Sequence, residues 1–169
     1  MGTDELHDLA QTAKEEKGVG ITMTVIAILL AIATMLAHRT HIKEVLIQTR
    51  ANDQWVNYQA KNTHANMYEA NADMALLLKG ERPANDFRLR SEVEKKEAEL
   101  IRSIATNLEN QVDVMSRRGD RQNLSEIFFE LAIVLCSITL LTQQKMFWRL
   151  SFVSSALGLL MLASSQLVR

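Results

Sequence analysis

The chain holds a single cysteine, a single proline and only six glycines in 169 residues. One cysteine excludes a disulfide framework within the chain and any multi-cysteine metal site. So little proline and glycine excludes a collagen-like or Pro/Gly-rich disordered polymer. Aromatic residues make up 5%, few for a sheet sandwich. No sign of charge dominates: 19 Lys+Arg stand against 20 Asp+Glu. A nucleic-acid binder needs a basic surface to neutralise phosphates, so that class is excluded too. No P-loop, dinucleotide fingerprint, nucleophile elbow or metalloprotease motif occurs. The mean hydropathy of -0.04 conceals a strong segregation of apolar and charged blocks.

Three apolar blocks are present. Residues 18–37 run 20 positions without a charge. At about 1.5 Å per residue that is ~30 Å, the thickness of a bilayer hydrocarbon core. A cleaved signal peptide would have a shorter apolar core, a basic leader and a small-residue cleavage site. Here the leader, residues 1–17, is acidic, and His38-Arg39 follows the block. The spacing therefore predicts an uncleaved span. The tail before it reads as disordered or as an amphipathic surface helix on Leu6, Leu9 and Ala13. A second span is expected over 124–142, which carries Glu130 inside it, and a third over 147–168. Trp148 and Arg149 sit at the start of the third span, where an interfacial aromatic and a snorkelling cation belong. Gln143-Gln144-Lys145 joins the last two spans as a tight turn. Arg39, Lys43, Arg50, Arg117, Arg118, Arg121 and Arg169 outnumber Lys14, Lys17, Lys145 and Arg149, which favours a cytoplasmic middle region. The two cations at the short turn pull the other way, because the positive-inside rule counts short loops best.

Residues 38–126 carry 14 Lys+Arg and 14 Asp+Glu, so this part is neutral and water-compatible. A spacing of four and three runs through Ile42, Leu46, Thr49, Asp53, Val56, Ala60, Thr63, Met67, Ala70, Met74 and Leu77. That is a heptad seam. A break is expected over 80–86, where Pro83 cannot continue a helix. A second seam follows on Val93, Glu97, Leu100, Ile104, Leu108, Gln111 and Met115, with Ile101 and Val112 beside it. Gly119-Asp120 is a candidate point of relaxation before the second span. The predicted fold is all-α: three transmembrane helices, with a long antiparallel coiled-coil hairpin over 38–123 between the first and second.

The run His38-Arg39-Thr40-His41, followed by Asp53-Gln54-Trp55-Val56-Asn57-Tyr58-Gln59-Ala60-Lys61-Asn62, is distinctive, as is Leu124 to Val134. It resembles a bacterial family of uncharacterised membrane proteins, domain-of-unknown-function family 4337. The resemblance implies one span, a coiled coil and two further spans. It implies no reaction. The chain departs from the family at Gln143-Gln144-Lys145, where members often carry a strongly basic run.

Several residues are candidates for chemistry. A carboxylate inside a span is costly and must be protonated, paired or beside water. Glu130, with Glu126, His38, Arg39 and His41 near the same membrane face, therefore reads as an ion or proton site or as a structural pair. His38, His41 and Glu44 with Glu126 could hold a divalent ion, but two imidazoles without a secure third ligand are a weak set, and no metal or other cofactor is assigned. Trp55, Tyr58, Gln59 and Asn62 form a stripe at helical spacing, either a recognition surface or a packing face. Ala27 with Ala31, and Ser154 with Gly158, have the small-residue spacing that lets helices approach closely in lipid. The expected protein is a non-enzymatic scaffold or assembly subunit of the bacterial plasma (inner) membrane. Its expected partners are the bilayer, further copies of itself and an unidentified membrane protein. The alternative is a channel or transporter component using the intramembrane carboxylate.

Overall fold

A computed structural model describes the backbone of residues 3–168 and the side chains of residues 14 and 16–168. It contains three helices, α1 (Thr3–Leu77), α2 (Glu81–Thr142) and α3 (Lys145–Gln166), and no strand among the described residues. Each helix includes a stretch long and apolar enough to cross a membrane. The chain is thus an all-α protein with three candidate spans. The side chains of Leu6, Leu9 and Ala13, on which the amphipathic reading of the tail rests, lie outside the described residues, as does Arg169.

No proline lies inside α1, so nothing interrupts its hydrogen-bond ladder. Threonine is a weak helix former in water because its hydroxyl competes for backbone partners. In α1 the hydroxyls of Thr22, Thr40, Thr49 and Thr63 donate to the carbonyls of Gly18, Leu36, Val45 and Gln59, four residues back, at 2.8–3.0 Å. The connection to α2 is shorter than expected. Lys79 takes the left-handed conformation (φ 59). Its N–H donates to the Leu76 carbonyl at 2.9 Å, and Gly80 N–H donates to Ala75 at 2.8 Å. This is a Schellman cap, which satisfies carbonyls left open at a helix end. Pro83 falls in the first turn of α2, where its missing N–H has no helical partner to lose. Gly119 does not interrupt α2, which runs unbroken from the hairpin turn to Thr142.

The structure divides into two compact units. One comprises residues 1–42 with 114–169, the other residues 43–113. In the first, Val19, Ile26 and Ala33 of α1 recur every seven residues and pack with Phe129, Ala132 and Cys136 of α2. α3 buries Ser151, Ser154, Ser155, Gly158 and Ser165, all small. Small residues let backbones approach where lipid supplies no hydrophobic drive between helices. Ser154 donates to the Phe128 carbonyl at 2.7 Å, and a Cβ at Gly158 would stand 3.1 Å from the Phe129 ring. Ser154 and Gly158 thus do pack closely, whereas Ala27 and Ala31 are exposed, because Ile26 and Ala33 occupy the inward face of α1.

In the second unit α1 and α2 run antiparallel: Trp55 meets Glu109, Lys61 meets Glu97, and Tyr68 stacks on Phe87. The seam that closes them differs from the one expected. It consists of Ala51, Ala65 and Ala72 on α1 and Ala84, Ser91, Ala98 and Ala105 on α2, all buried. The α2 set recurs every seven residues. Alanine draws two helices towards the short end of the usual ~8–10 Å interaxial range. Leu46, Val56, Met67, Met74 and Leu77 consequently face outward. On α2 the expected seam splits: Val93, Leu100 and Ile104 are exposed, while Ile101, Leu108, Val112 and Met115 are half-buried.

Candidate functional site

Glu130, the carboxylate expected inside the second span, is exposed on the outside of its unit. His38, Arg39 and His41 are also exposed, and neither His38 nor Arg39 pairs with Glu130. Among the described residues no group of three His, Cys, Asp or Glu side chains is placed to hold a metal ion.

Glu126, one helical turn before Glu130, is the more enclosed of the two. One of its carboxylate oxygens is buried without a hydrogen-bond partner. Gln122 Oε1 and Ser125 Oγ are in the same condition. Residues 122, 125 and 126 share a face of α2 by their three-and-four spacing. Buried oxygens of this kind carry a desolvation penalty of about 1–3 kcal/mol each unless water, a proton or a cation serves them. Below them the Phe129 ring, fully buried against Gly158, fills the interior.

Just before this cluster lies a feature that sequence reading missed. Arg118 donates through Nε to the Ser165 carbonyl at 3.0 Å and through Nη2 to Gln166 Oε1 at 2.9 Å. Arg121 donates to the Ser164 carbonyl at 3.0 Å. The last carbonyls of a helix have no partners within it and carry partial negative charge. The two guanidiniums therefore cap the C-terminus of α3 from α2. The signal in the sequence was two arginines three residues apart at the edge of a span, but it does not say which helix end they reach. Replacing both by alanine is expected to loosen the last turn of α3 and destabilise the unit by about 1–3 kcal/mol. Faster amide hydrogen exchange in residues 162–167 reports it, and unchanged exchange there counts against the clasp.

The aromatic stripe divides. Trp55 and Tyr58 are half-buried, with rings edge-to-face at 5.5 Å, and Trp55 Nε1 donates to Glu109 Oε1 at 2.8 Å. Both belong to the helix pairing of the hairpin. Gln59 and Asn62 point outward. Lys61 lies 2.6 Å from Glu97 Oε2 and 3.0 Å from Glu94 Oε2. These carboxylates, Glu97 foremost, raise the Lys61 pKa above its ordinary value. Lys95, at 2.9 Å, lowers that of Glu69. Both groups are solvated, so they set helix register more than they add stability.

A family model described as a domain of unknown function (DUF4337) matches residues 15–168. No curated protein and no solved structure matches the chain.

Proposed function

We propose that this chain, which belongs to the DUF4337 family, is a non-enzymatic scaffold or assembly subunit of the bacterial plasma membrane that associates with copies of itself through its hairpin and spans. One observation carries the reading. The alanine seam closes the hairpin and leaves a second seam of larger side chains on the outside of α1, apolar at its ends and interrupted by Thr49, Asp53 and Thr63, with Val56 64% and Met67 58% exposed. Burying a side chain of that size is worth about 1.5–3 kcal/mol. A helix face with this repeat is built to meet another helix. Full-length protein in a mild detergent is expected to scatter light as a multiple of its 19.1 kDa mass. Val56→Asp with Met67→Asp is expected to reduce it to the monomer. A monodisperse wild-type monomer would overturn the proposal.

The alternative, a proton or ion path using an intramembrane carboxylate, draws on a different observation: the unpartnered oxygens of Gln122, Ser125 and Glu126. It shifts the acting carboxylate from Glu130 to Glu126. The Phe129 ring against Gly158 weighs against a continuous path within one copy. Ion flux in proteoliposomes, compared with Glu126→Gln, separates the two readings.

A further inference from the structure

A heptad written abcdefg puts its seam at a and d, flanks it with e and g, and turns f to the opposite side of the helix. On α1 the outer seam takes a at Leu46, Asp53, Ala60, Met67 and Met74. Ala51, Ala65 and Ala72, buried against α2, then fall at f. The two sides of α1 are therefore separate, and both can be occupied at once. The flanks of the outer seam are unusual for a helix surface in water, which normally carries charges. Between residues 54 and 72 they consist of Asn57, Gln59, His64, Asn66 and Asn71, all exposed and none formally charged. The seam itself holds no charge in that interval. At about 1.5 Å per residue this is an uncharged strip roughly 28 Å long. Asparagine is also a weak helix former, because its side chain competes for backbone groups. Lysine or glutamate at these exposed sites would favour the helix, so the amides are kept for what they bind.

We infer that two copies meet α1 on α1, parallel and in register about a two-fold axis, and so form a closed dimer. The inference rests on the self-association proposed above and names the face, direction and register of the pairing. Copies inserted in one bilayer point the same way. Like helices of two hairpins then run parallel, and α1 of one runs antiparallel to α2 of the other. In a parallel pair each g residue meets the next e residue of the partner, and these contacts set partner choice and orientation. On α1 they set Asn52 against the partner's Asn57, Gln59 against the partner's His64 and Asn66 against the partner's Asn71. Asn52 accepts from Gln48 Nε2 at 3.2 Å, which leaves its own amide N–H groups to donate across the pair. The end contacts are Val45 with the partner's Arg50 and Asp73 with the partner's Leu78, so none brings like charges together. The other outward face, on Leu89, Val93, Leu100 and Ile104 of α2, is ruled out by charge. Paired with itself it sets Glu92 against the partner's Glu97, and Lys96 against the partner's Lys96. Lys61, shared between Glu94 and Glu97, offsets only part of that repulsion. Paired with α1 it brings Glu92 and Glu99 to a strip with no cation to receive them. The α1 seam has one charge of its own, Asp53, which the two-fold axis sets against the partner's Asp53. Arg50, one turn earlier on the same helix, offsets part of it. A polar residue at a single a position costs stability and fixes register, and that is the role assigned to Asp53. A two-fold interface uses the same patch on both copies and closes, where α1 on α2 would leave a free face at each end.

The test uses full-length protein in a mild detergent, with cysteines introduced one at a time. The native Cys136 is fully buried. A disulfide forms only between Cα atoms about 4.4–6.8 Å apart. Under mild oxidation Ala60→Cys is expected to give a covalent dimer. Leu100→Cys, near the same level because Lys61 meets Glu97, is expected to give none. A mixture of Ala60→Cys and Met67→Cys should form like-with-like bonds several-fold in excess of mixed ones, and adding Asp53→Leu should erode that excess. Charge gives a second reading. Asn66→Glu with Asn71→Lys is expected to tighten the dimer several-fold, and Asn66→Glu with Asn71→Glu to weaken it several-fold. In an antiparallel pair g meets g and e meets e, so there both variants would weaken association. These sites are exposed, and helical circular dichroism should be unchanged. A monomeric wild type overturns self-association and this inference together. An oligomer in which Ala60→Cys fails to cross-link, or in which Leu100→Cys bonds to itself or to Ala60→Cys, overturns this inference alone. Tightening by the Glu/Glu variant overturns it as well.

Discussion

Gly158→Leu is expected to disrupt the packing of the membrane unit and lower its thermal stability in detergent more than any substitution on the exposed faces of α3. A Cβ at this position would stand 3.1 Å from Phe129 Cε1 and 3.2 Å from Cδ1 and Cζ. These distances are tighter than ordinary contact, and the ring that would have to yield is fully buried. Overpacking a well-filled core typically costs about 1–3 kcal/mol, and leucine adds three further heavy atoms beyond that Cβ. Gly20 provides the control, because a Cβ there meets nothing within 4 Å. Gly20→Leu should leave the melting temperature nearly unchanged. The partner substitution sharpens the test. Phe129→Ala alone should cost about 3–5 kcal/mol through the cavity it leaves. Combined with Gly158→Leu it should recover part of that loss, since the new side chain enters the vacated space. Strict additivity of the two effects would show that residues 129 and 158 do not touch.

The same contact shows why some of the structure was readable in the sequence and some was not. The three spans and the antiparallel hairpin rest on signals spread over many residues: charge-free runs long enough for a bilayer, and a four-three repeat sustained through dozens of positions. Such signals tolerate local error. Which face of a helix turns inward is decided by a few residues and by size as much as by hydropathy. Ile42, Leu46, Val56, Met67 and Met74, with Thr49, Asp53 and Thr63 between them, form the seam of larger side chains, and its unbroken four-three spacing selects it in the sequence. Ala51, Ala65 and Ala72 form the narrower one, and it is this seam that α2 occupies. Between Glu126 and Glu130 the difference is only about 40° around the helix axis. That is enough to carry a carboxylate from the edge of the packed face to the outside. The caps supplied by Arg118 and Arg121 lay beyond sequence reading for another reason. Their partners, the carbonyls of Ser164 and Ser165, are more than forty positions away in the chain and have no side-chain signature.

The choice between the two seams can be put to a paired experiment. Ala65→Leu is expected to unpair the hairpin helices, with a loss of about 1–3 kcal/mol or more, whereas Ala60→Leu is expected to leave the hairpin as stable as before. Alanine and leucine are both strong helix formers, so the substitution changes helix propensity little and equally at the two sites. What differs is the surroundings. Ala65 is fully buried between the helices, while Ala60, five residues earlier, is exposed on the outer seam. Trp55, hydrogen-bonded to Glu109 across the pair, is a built-in reporter. The chain has only one other tryptophan, Trp148, which Trp148→Phe removes from the signal. Denaturant titration followed by Trp55 fluorescence should show an earlier transition for Ala65→Leu and, from the opposite helix, for Ala98→Leu. If Ala60→Leu proved the more damaging, the apolar seam would be the internal one and the surface assigned to self-association would not exist. If the order is as expected, Ala60→Leu should go further and tighten association between copies. It adds buried apolar area to the outer seam without touching the alanines that hold the hairpin closed.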